Sequence, residues 1–196
     1  MKYDITKSDS HKFIYYRVPK TATRSILFCL AEKTVLDFGK PVILDGYDVD
    51  YNNDWNNYFQ FAFVRNPFDR ILSCFIDKTK NVIGTKWELE YFSKYKHSSF
   101  EEFVMDLDND SINQEGHTKE QHLMINLNRV DFIGKFENLN QDFKYVCENL
   151  NIAIEHIPHR NATDHDKYQN YYNDKTIAKI KELYSKDMEL FQYEYN

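Results

Sequence analysis

Phe59-Gln60-Phe61-Ala62-Phe63-Val64-Arg65-Asn66-Pro67-Phe68-Asp69-Arg70-Ile71-Leu72-Ser73 is the stretch from which the fold is read. Its opening, Phe59 to Val64, is apolar and aromatic except for Gln60, the composition of a buried strand. Asn66 then offers an N-cap, Pro67 suits the first helical position, and Asp69 sits where a capping-box acid belongs. Ile71, Leu72, Phe75 and Ile76 supply the buried stripe of the helix that follows. The same unit occurs upstream. Lys12 to Val18 (KFIYYRV) reads as a buried strand, and Pro19 ends it because proline has no N–H to give a ladder. From Arg24 the pattern turns helical, with Ile26, Leu27 and Leu30 at the right spacing and Cys29 beside them.

Working outward, Asp131 to Phe136 (DFIGKF) predicts a third strand and Leu139 to Leu150 a helix. Ser98 or Ser99 is placed to cap a helix carrying Phe100, Phe103, Val104 and Leu107. A long closing helix is expected from about Asp174, burying Ile177, Ile180, Tyr184, Met188 and Phe191 at intervals of three and four. Gly39 to Asn57 is polar and irregular, and His156 to Asn173 reads as an exposed loop. Strands separated by helices predict an α/β fold, a central parallel sheet with helices on both faces. Such folds bind ligands outside the carboxyl ends of the strands, where both strand-to-helix turns open.

At 196 residues, one domain spanning 1–196 is the expectation. A formal charge of −6 argues against a general nucleic-acid binder, which presents a basic face, but leaves room for one anionic nucleotide held by a few cations in a cleft. Nothing in the sequence resembles a signal peptide or a membrane span. Cys29, Cys74 and Cys147 are far apart, odd in number and each set in an apolar stretch, so reduced buried thiols in a cytoplasmic protein are expected. Asn161-Ala162-Thr163 matches a glycosylation sequon, which a chain without a secretory signal does not use.

The turn Pro19-Lys20-Thr21-Ala22-Thr23-Arg24-Ser25 joins strand to helix with small or hydroxylated residues and two cations. N–H groups at a helix start lack intrahelical partners and can receive phosphate oxygens, with hydroxyls from Thr21, Thr23 and Ser25 and a mobile charge from Lys20. Alone, the loop reads rather as a capped helix start with surface cations. A Walker loop fits badly, since it needs glycines and a lysine near its end, whereas here the lysine comes first. The second turn is more informative. Where a P-loop NTPase would carry a magnesium-binding Asp, this chain carries Arg65, which can grip a phosphate in bidentate fashion. Ser73, off the apolar stripe, can donate to the same anion. The plain alternative is that Arg65 pairs with an acid such as Asp69 and that Ser73 is merely tolerated. Two such turns on one sheet favour a nucleotide.

At these residues the sequence resembles the sulfotransferase superfamily, and specifically the carbohydrate sulfotransferases typified by Golgi enzymes acting on glycosaminoglycans. Val18 to Ser25 resembles that family's 5′-phosphosulfate loop, and Phe63 to Ser73 its 3′-phosphate motif, with Arg65 and Ser73 at the family's spacing. Asp131 to Leu139 and the ending around Tyr184, Asp187, Leu190, Phe191 and Tyr193 match further family segments. The resemblance implies a P-loop-like three-layer sandwich, with a central parallel sheet flanked by helices. It implies in-line sulfuryl transfer from 3′-phosphoadenosine-5′-phosphosulfate (PAPS), without a metal, to a carbohydrate or glycan-precursor acceptor. Carried over, Lys20 contacts the bridging region of the phosphosulfate, Thr21, Ala22, Thr23, Arg24 and Ser25 hold the 5′-phosphate, and Arg65 with Ser73 holds the 3′-phosphate.

An acceptor hydroxyl must lose a proton, so a base is expected within reach. No histidine stands between His11 and His97. Asp45 and Asp48 are the nearest candidates by position, equally readable as solvated loop acids, and Glu32 late in its helix reads as surface. His117, in Glu115-Gly116-His117-Thr118, resembles a histidine-bearing family segment and serves as base or touches acceptor or cofactor. His156, His159 and His165 match no ligand spacing, so no metal is expected. Arg160 and Lys167 are candidates for a lid, and Tyr168, Tyr171 and Tyr172 either stack on a ligand or pack on the last helix. Two other functions are weighed: an ATP-dependent small-molecule kinase, against which the missing glycines and strand-end Asp speak, and a non-catalytic nucleotide- or partner-binding module.

Overall fold

A computed structural model describes residues 2–33, 42–43, 53–80, 90, 92–93, 95–96, 98–153, 157 and 166–196. Six strands are described: β1 (Lys2–Tyr3), β2 (Ile5–Ser8), β3 (Phe13–Tyr16), β4 (Val42–Ile43), β5 (Phe59–Val64) and β6 (Phe132–Lys135). The described helices are α1 (Thr23–Lys33), α2 (Pro67–Lys80), α3 (Phe100–Asp106), α4 (Asn109–Gln114), α5 (Leu139–Asn149), α6 (Asp174–Leu183) and α7 (Ser185–Phe191). The fold is mixed α/β, with a central sheet flanked by helices. The chain divides into two compact units, each drawn from two stretches: Met1–Val64 with Gln121–Asn161, and Arg65–Glu120 with Ala162–Asn196.

The first unit holds the sheet, in order β2-β3-β5-β6. β3, β5 and β6 run parallel, as the sequence predicts, with Tyr16 opposite Ala62 and Val64 opposite Lys135. β2 is an addition: it pairs antiparallel with β3 through a turn in which Lys12 takes a φ of 51°. Its Ile5-Thr6-Lys7-Ser8 holds a single large apolar residue, so hydrophobic pattern alone does not flag it. β1 and β4 form a separate antiparallel pair.

All four residues of β3 are buried, as a strand covered on both faces requires. One face presents Phe13, Tyr15, Phe61 and Phe63 to Ile26 and Leu30 of α1 and to Phe143 and Val146 of α5. Tyr15 stacks on Phe61 with ring centroids 5.0 Å apart. Each such fully buried ring contributes roughly 2–3 kcal/mol. Gly134 of β6 lies so close to the Phe63 ring of β5, and to α5 behind it, that it has no room for a side chain. A Cβ there would lie 2.5 Å from the Phe63 ring and 3.0 Å from the Asp142 Cβ.

The second unit is helical around its own core of Phe68, Ile71, Leu72, Phe103, Ile180 and Tyr184. The Ser99 cap is as expected, and closes a full capping box with Glu102. The single closing helix is not: the chain breaks at Tyr184 (φ −115°, ψ 23°) into α6 and α7. The apolar spacing runs through the break, since Ile180, Tyr184 and Phe191 are all buried, which is why the pattern reads as one helix. All three cysteines are free and buried. Burial also pushes the Cys147 thiol up to about 12, helped by Cys29 and Glu148 nearby. Among the described residues no helix is long and apolar enough to cross a membrane.

Candidate functional site

The first turn leaves β3 at Tyr16 and enters α1 at Thr23. Within it Lys20 takes a φ of 71° and Ala22 a φ of 63°, left-handed conformations that favour glycine. Each costs about 1–2 kcal/mol at a residue with a Cβ. Strain of this kind persists where surrounding structure over-determines it, and left-handed residues in a tight turn gather successive N–H groups into an anion-binding concavity. Ala22 also opens the helix, since its carbonyl accepts the Ile26 N–H at 3.0 Å.

What over-determines the turn is visible in its hydroxyls. Thr21 and Thr23 both donate to the Val18 carbonyl, at 2.8 and 2.7 Å. They brace the loop from within, Thr21 being fully buried. Beneath them, the Tyr15 hydroxyl donates to Thr23 Oγ1 at 3.5 Å. Burial pushes that phenol up to about 12, against smaller opposing effects from Thr23 and Thr21, so it stays a neutral donor. Ser25 is buried in the first turn of α1, Lys20 is half-buried and Arg24 is exposed.

The second turn follows β5 directly. Asn66 caps α2 as expected, its side-chain oxygen accepting the Phe68 N–H at 3.0 Å. Its amide nitrogen donates in turn to the Glu194 carbonyl at 3.0 Å, tying the helix start to the C-terminal segment. Asp69 pairs with Arg65, whose Nε and Nη2 both lie 2.8 Å from Asp69 Oδ2. The plain alternative from sequence, an Arg65–Asp69 ion pair, is thus present, and it fixes the orientation of the guanidinium of an arginine that is only 6% exposed. Ser73 is 1% exposed, on a helix buried on nearly every side from Pro67 to Ile76.

Tyr168, Tyr171 and Tyr172 pack on the start of α2 and on α3, not on the last helix alone. Phe68 meets Tyr172 at 5.2 Å, Phe100 meets Tyr172 at 4.9 Å and Tyr171 at 6.4 Å between ring centroids. The Tyr172 hydroxyl donates to the Phe68 carbonyl at 2.9 Å.

His117 lies in the second unit, in the turn after α4. Its Nδ1 is 2.7 Å from Glu115 Oε1, and Glu115 is 3% exposed. Sequence reading missed Glu115 as a partner, although a Glu-x-His spacing carries that signal. It also missed Arg70, which is fully buried and donates from Nη2 to the Lys119 carbonyl at 2.7 Å and the Gly116 carbonyl at 3.3 Å. An arginine beside Asp69 near a helix start looks like surface, and only tertiary burial reveals otherwise. Glu32 is exposed on α1, as its position suggests. Asp45, Asp48, His156, His159, Arg160 and His165 lie outside the described residues, and Lys167 is exposed before a short turn of 3-10 helix. Among the described residues no group of His, Cys, Asp or Glu could hold a metal ion.

A sequence model of the sulfotransferase family matches residues 3–194 of this chain. The chain is also similar to carbohydrate sulfotransferase 10 of Danio rerio, 26% identical over 94% of this chain and 65% of that protein. It is 25% identical to carbohydrate sulfotransferase 14 of Danio rerio, over 78% of this chain and 49% of that protein. It is likewise 25% identical to carbohydrate sulfotransferase 12 of Xenopus laevis, over 94% and 59%. The chain spans less than two-thirds of the length of each of these curated relatives. No solved structure matches significantly.

Proposed function

This chain belongs to the sulfotransferase family, and from that premise we propose that it is an enzyme moving a sulfuryl group from PAPS to a hydroxyl of a carbohydrate or glycan-precursor acceptor, as one domain. The observation that carries this reading is where the two turns begin. β3 and β5 are parallel neighbours, so they end at the same edge of the sheet, and the Lys20 loop follows one while Arg65 follows the other. The carboxyl edge of a parallel sheet is where α/β folds take their ligands.

The residues present fit such a donor. Thr21, Ala22, Thr23, Arg24 and Ser25 offer the 5′-phosphate a strained loop and a helix start. Lys20 supplies the charge that stabilises the departing phosphate, the role of preorganised donors in catalysis. Arg65 and Ser73 serve the 3′-phosphate, which shares Arg65 with Asp69. Asp45 and His117 are the candidates for the acceptor's proton. A carbohydrate acceptor is supported by the names of the relatives.

Calorimetric titration with adenosine 3′,5′-bisphosphate tests the reading. Wild type binds, and Arg65→Ala weakens binding by roughly 10- to 100-fold, the worth of charge-assisted hydrogen bonds. Lys20→Ala lowers the transfer rate on the order of a hundredfold. No binding to wild type would end the proposal, and binding without turnover would leave a nucleotide-binding module.

A further inference from the structure

We infer that Glu115 is the positioning residue that makes His117 the proton acceptor of the transfer, an inference that rests on the function proposed above. The two oxygens of Glu115 do different work. Oε2 accepts the backbone N–H of His117 at 2.6 Å and of Thr118 at 3.2 Å. That much shapes a turn and needs no imidazole. Oε1 is spent on the ring, 2.7 Å from Nδ1. The carboxylate is 3% exposed on its side chain, whereas the His117 side chain is 22% exposed. So the acid is held inside the protein, and the ring it holds reaches the surface.

An ionised carboxylate can only accept a hydrogen bond. Nδ1 therefore carries the proton in the neutral ring, and Nε2 carries the lone pair. A carboxylate that orients an imidazole in this way is a recurrent signature of a histidine acting as general base.

The turn that carries this pair is fastened from behind. Arg70 Nη2 donates to the carbonyls of Gly116 and Lys119, on either side of the histidine's turn, at 3.3 and 2.7 Å. The Tyr184 hydroxyl donates to the Thr118 carbonyl at 2.5 Å. Thr118 Oγ1 lies 3.1 Å from the Ile112 carbonyl and 3.2 Å from that of Glu115. Arg70, Thr118 and Tyr184 are all fully buried. Burial raises the Tyr184 phenol well above its ordinary value, with Arg70 opposing in part, so it remains protonated and goes on donating. Arg70 stands on α2, the helix that opens at the Arg65 turn, and both belong to the same unit. The turn that carries His117 is thereby fastened to the helix that carries Ser73 and follows Arg65.

In the step itself the acceptor O–H proton passes to Nε2 of His117. The oxygen forms a bond to sulfur as the bond from sulfur to the 5′-phosphate oxygen breaks. The bonding electrons leave with adenosine 3′,5′-bisphosphate, and the imidazolium later gives its proton to solvent.

Glu115→Gln separates the two jobs of the carboxylate. The amide oxygen can still accept the two backbone N–H groups, while the NH₂ group replaces Oε1 and donates to Nδ1, moving the ring proton to Nε2. Nitrogen-15 spectra of His117 report this in the resting protein, without turnover: Nδ1–H in wild type, Nε2–H in Glu115→Gln. The chemical step is read as sulfate release from PAPS, with water as acceptor. The rate constant for Glu115→Gln falls by roughly 10²- to 10⁴-fold, while KM for PAPS and calorimetric binding of adenosine 3′,5′-bisphosphate are unchanged. His117→Gln loses the same factor, and the double variant loses no more, as residues acting as a unit do. An Nε2–H ring in wild type, or a shifted tautomer with an unchanged rate, overturns the inference and leaves the nucleotide site standing. Wild type that binds no bisphosphate overturns the function beneath it instead.

Discussion

Lys20 and Ala22 sit at positive φ without being glycine, and this strain belongs to the turn on which the donor site is proposed. Ala22→Gly removes the Cβ clash, which is worth about 1–2 kcal/mol, but gives the unfolded chain extra freedom. Denaturant melts should show the variant more stable by about 0.5–1 kcal/mol. Titration should show it binding adenosine 3′,5′-bisphosphate less tightly, because the turn is no longer preorganised. A variant of lower stability would mean that the left-handed backbone carries no strain. None of this is legible in the sequence, where Lys20 and Ala22 are ordinary residues. Residue identity shows that a turn is rich in donors, but not which way the donors face: Thr21 and Thr23 turn inward to Val18. Asp69 carries the same lesson, since its spacing suits both a capping acid and an ion-pair partner, and only the structure shows the pair with Arg65.

At the scale of elements, helix starts were the most readable feature because their chemistry is local. Asn66 and Ser99 cap where the sequence puts them. Asp108 with Ser111 and Asn173 with Thr176 close further boxes. Glu102 shows the energetics. The Ser99 N–H donates to its carboxylate at 2.7 Å, and that bond, with the Ser99 hydroxyl, holds the Glu102 carboxyl below its usual range. A carboxyl depressed in the folded state stabilises the fold above its unfolded pKa and loses that contribution as pH falls through the lowered value. Glu102→Gln should therefore be less stable than wild type near neutrality, with the gap closing in strong acid. Urea melts across a pH series measure it, and a gap that widens on acidification would contradict the cap. Less readable were β2, which carries little apolar pattern, and the break at Tyr184, across which the apolar spacing continues unbroken.

For the whole molecule, the order of β3, α1, β5, α2, α3, β6 and α5 followed from hydrophobic period, but the division into units did not, because neither unit is a continuous stretch. The first is completed by β6 and α5, which follow Glu120 in the chain. A fragment ending at Glu120 lacks Phe143, Val146 and Cys147, which cover Phe63 and its neighbours. It should give no dispersed amide spectrum and should aggregate through the uncovered edge of β5. A well-folded fragment would show that the sheet does not need its last strand. Pairings of this sequence separation are also slow to form.

The C-terminal segment has a practical consequence of the same kind. Asn66 reaches the Glu194 carbonyl, and Tyr195 lies 4.8 Å from Phe68 between ring centroids. Those final residues work as a clasp on the first turn of α2. Removing or displacing Glu194 and Tyr195 would loosen Arg65's neighbourhood from a distance in sequence that no inspection of the primary structure would flag. A substitution in that segment should therefore be compared with wild type before any difference in nucleotide affinity is blamed on Arg65 itself.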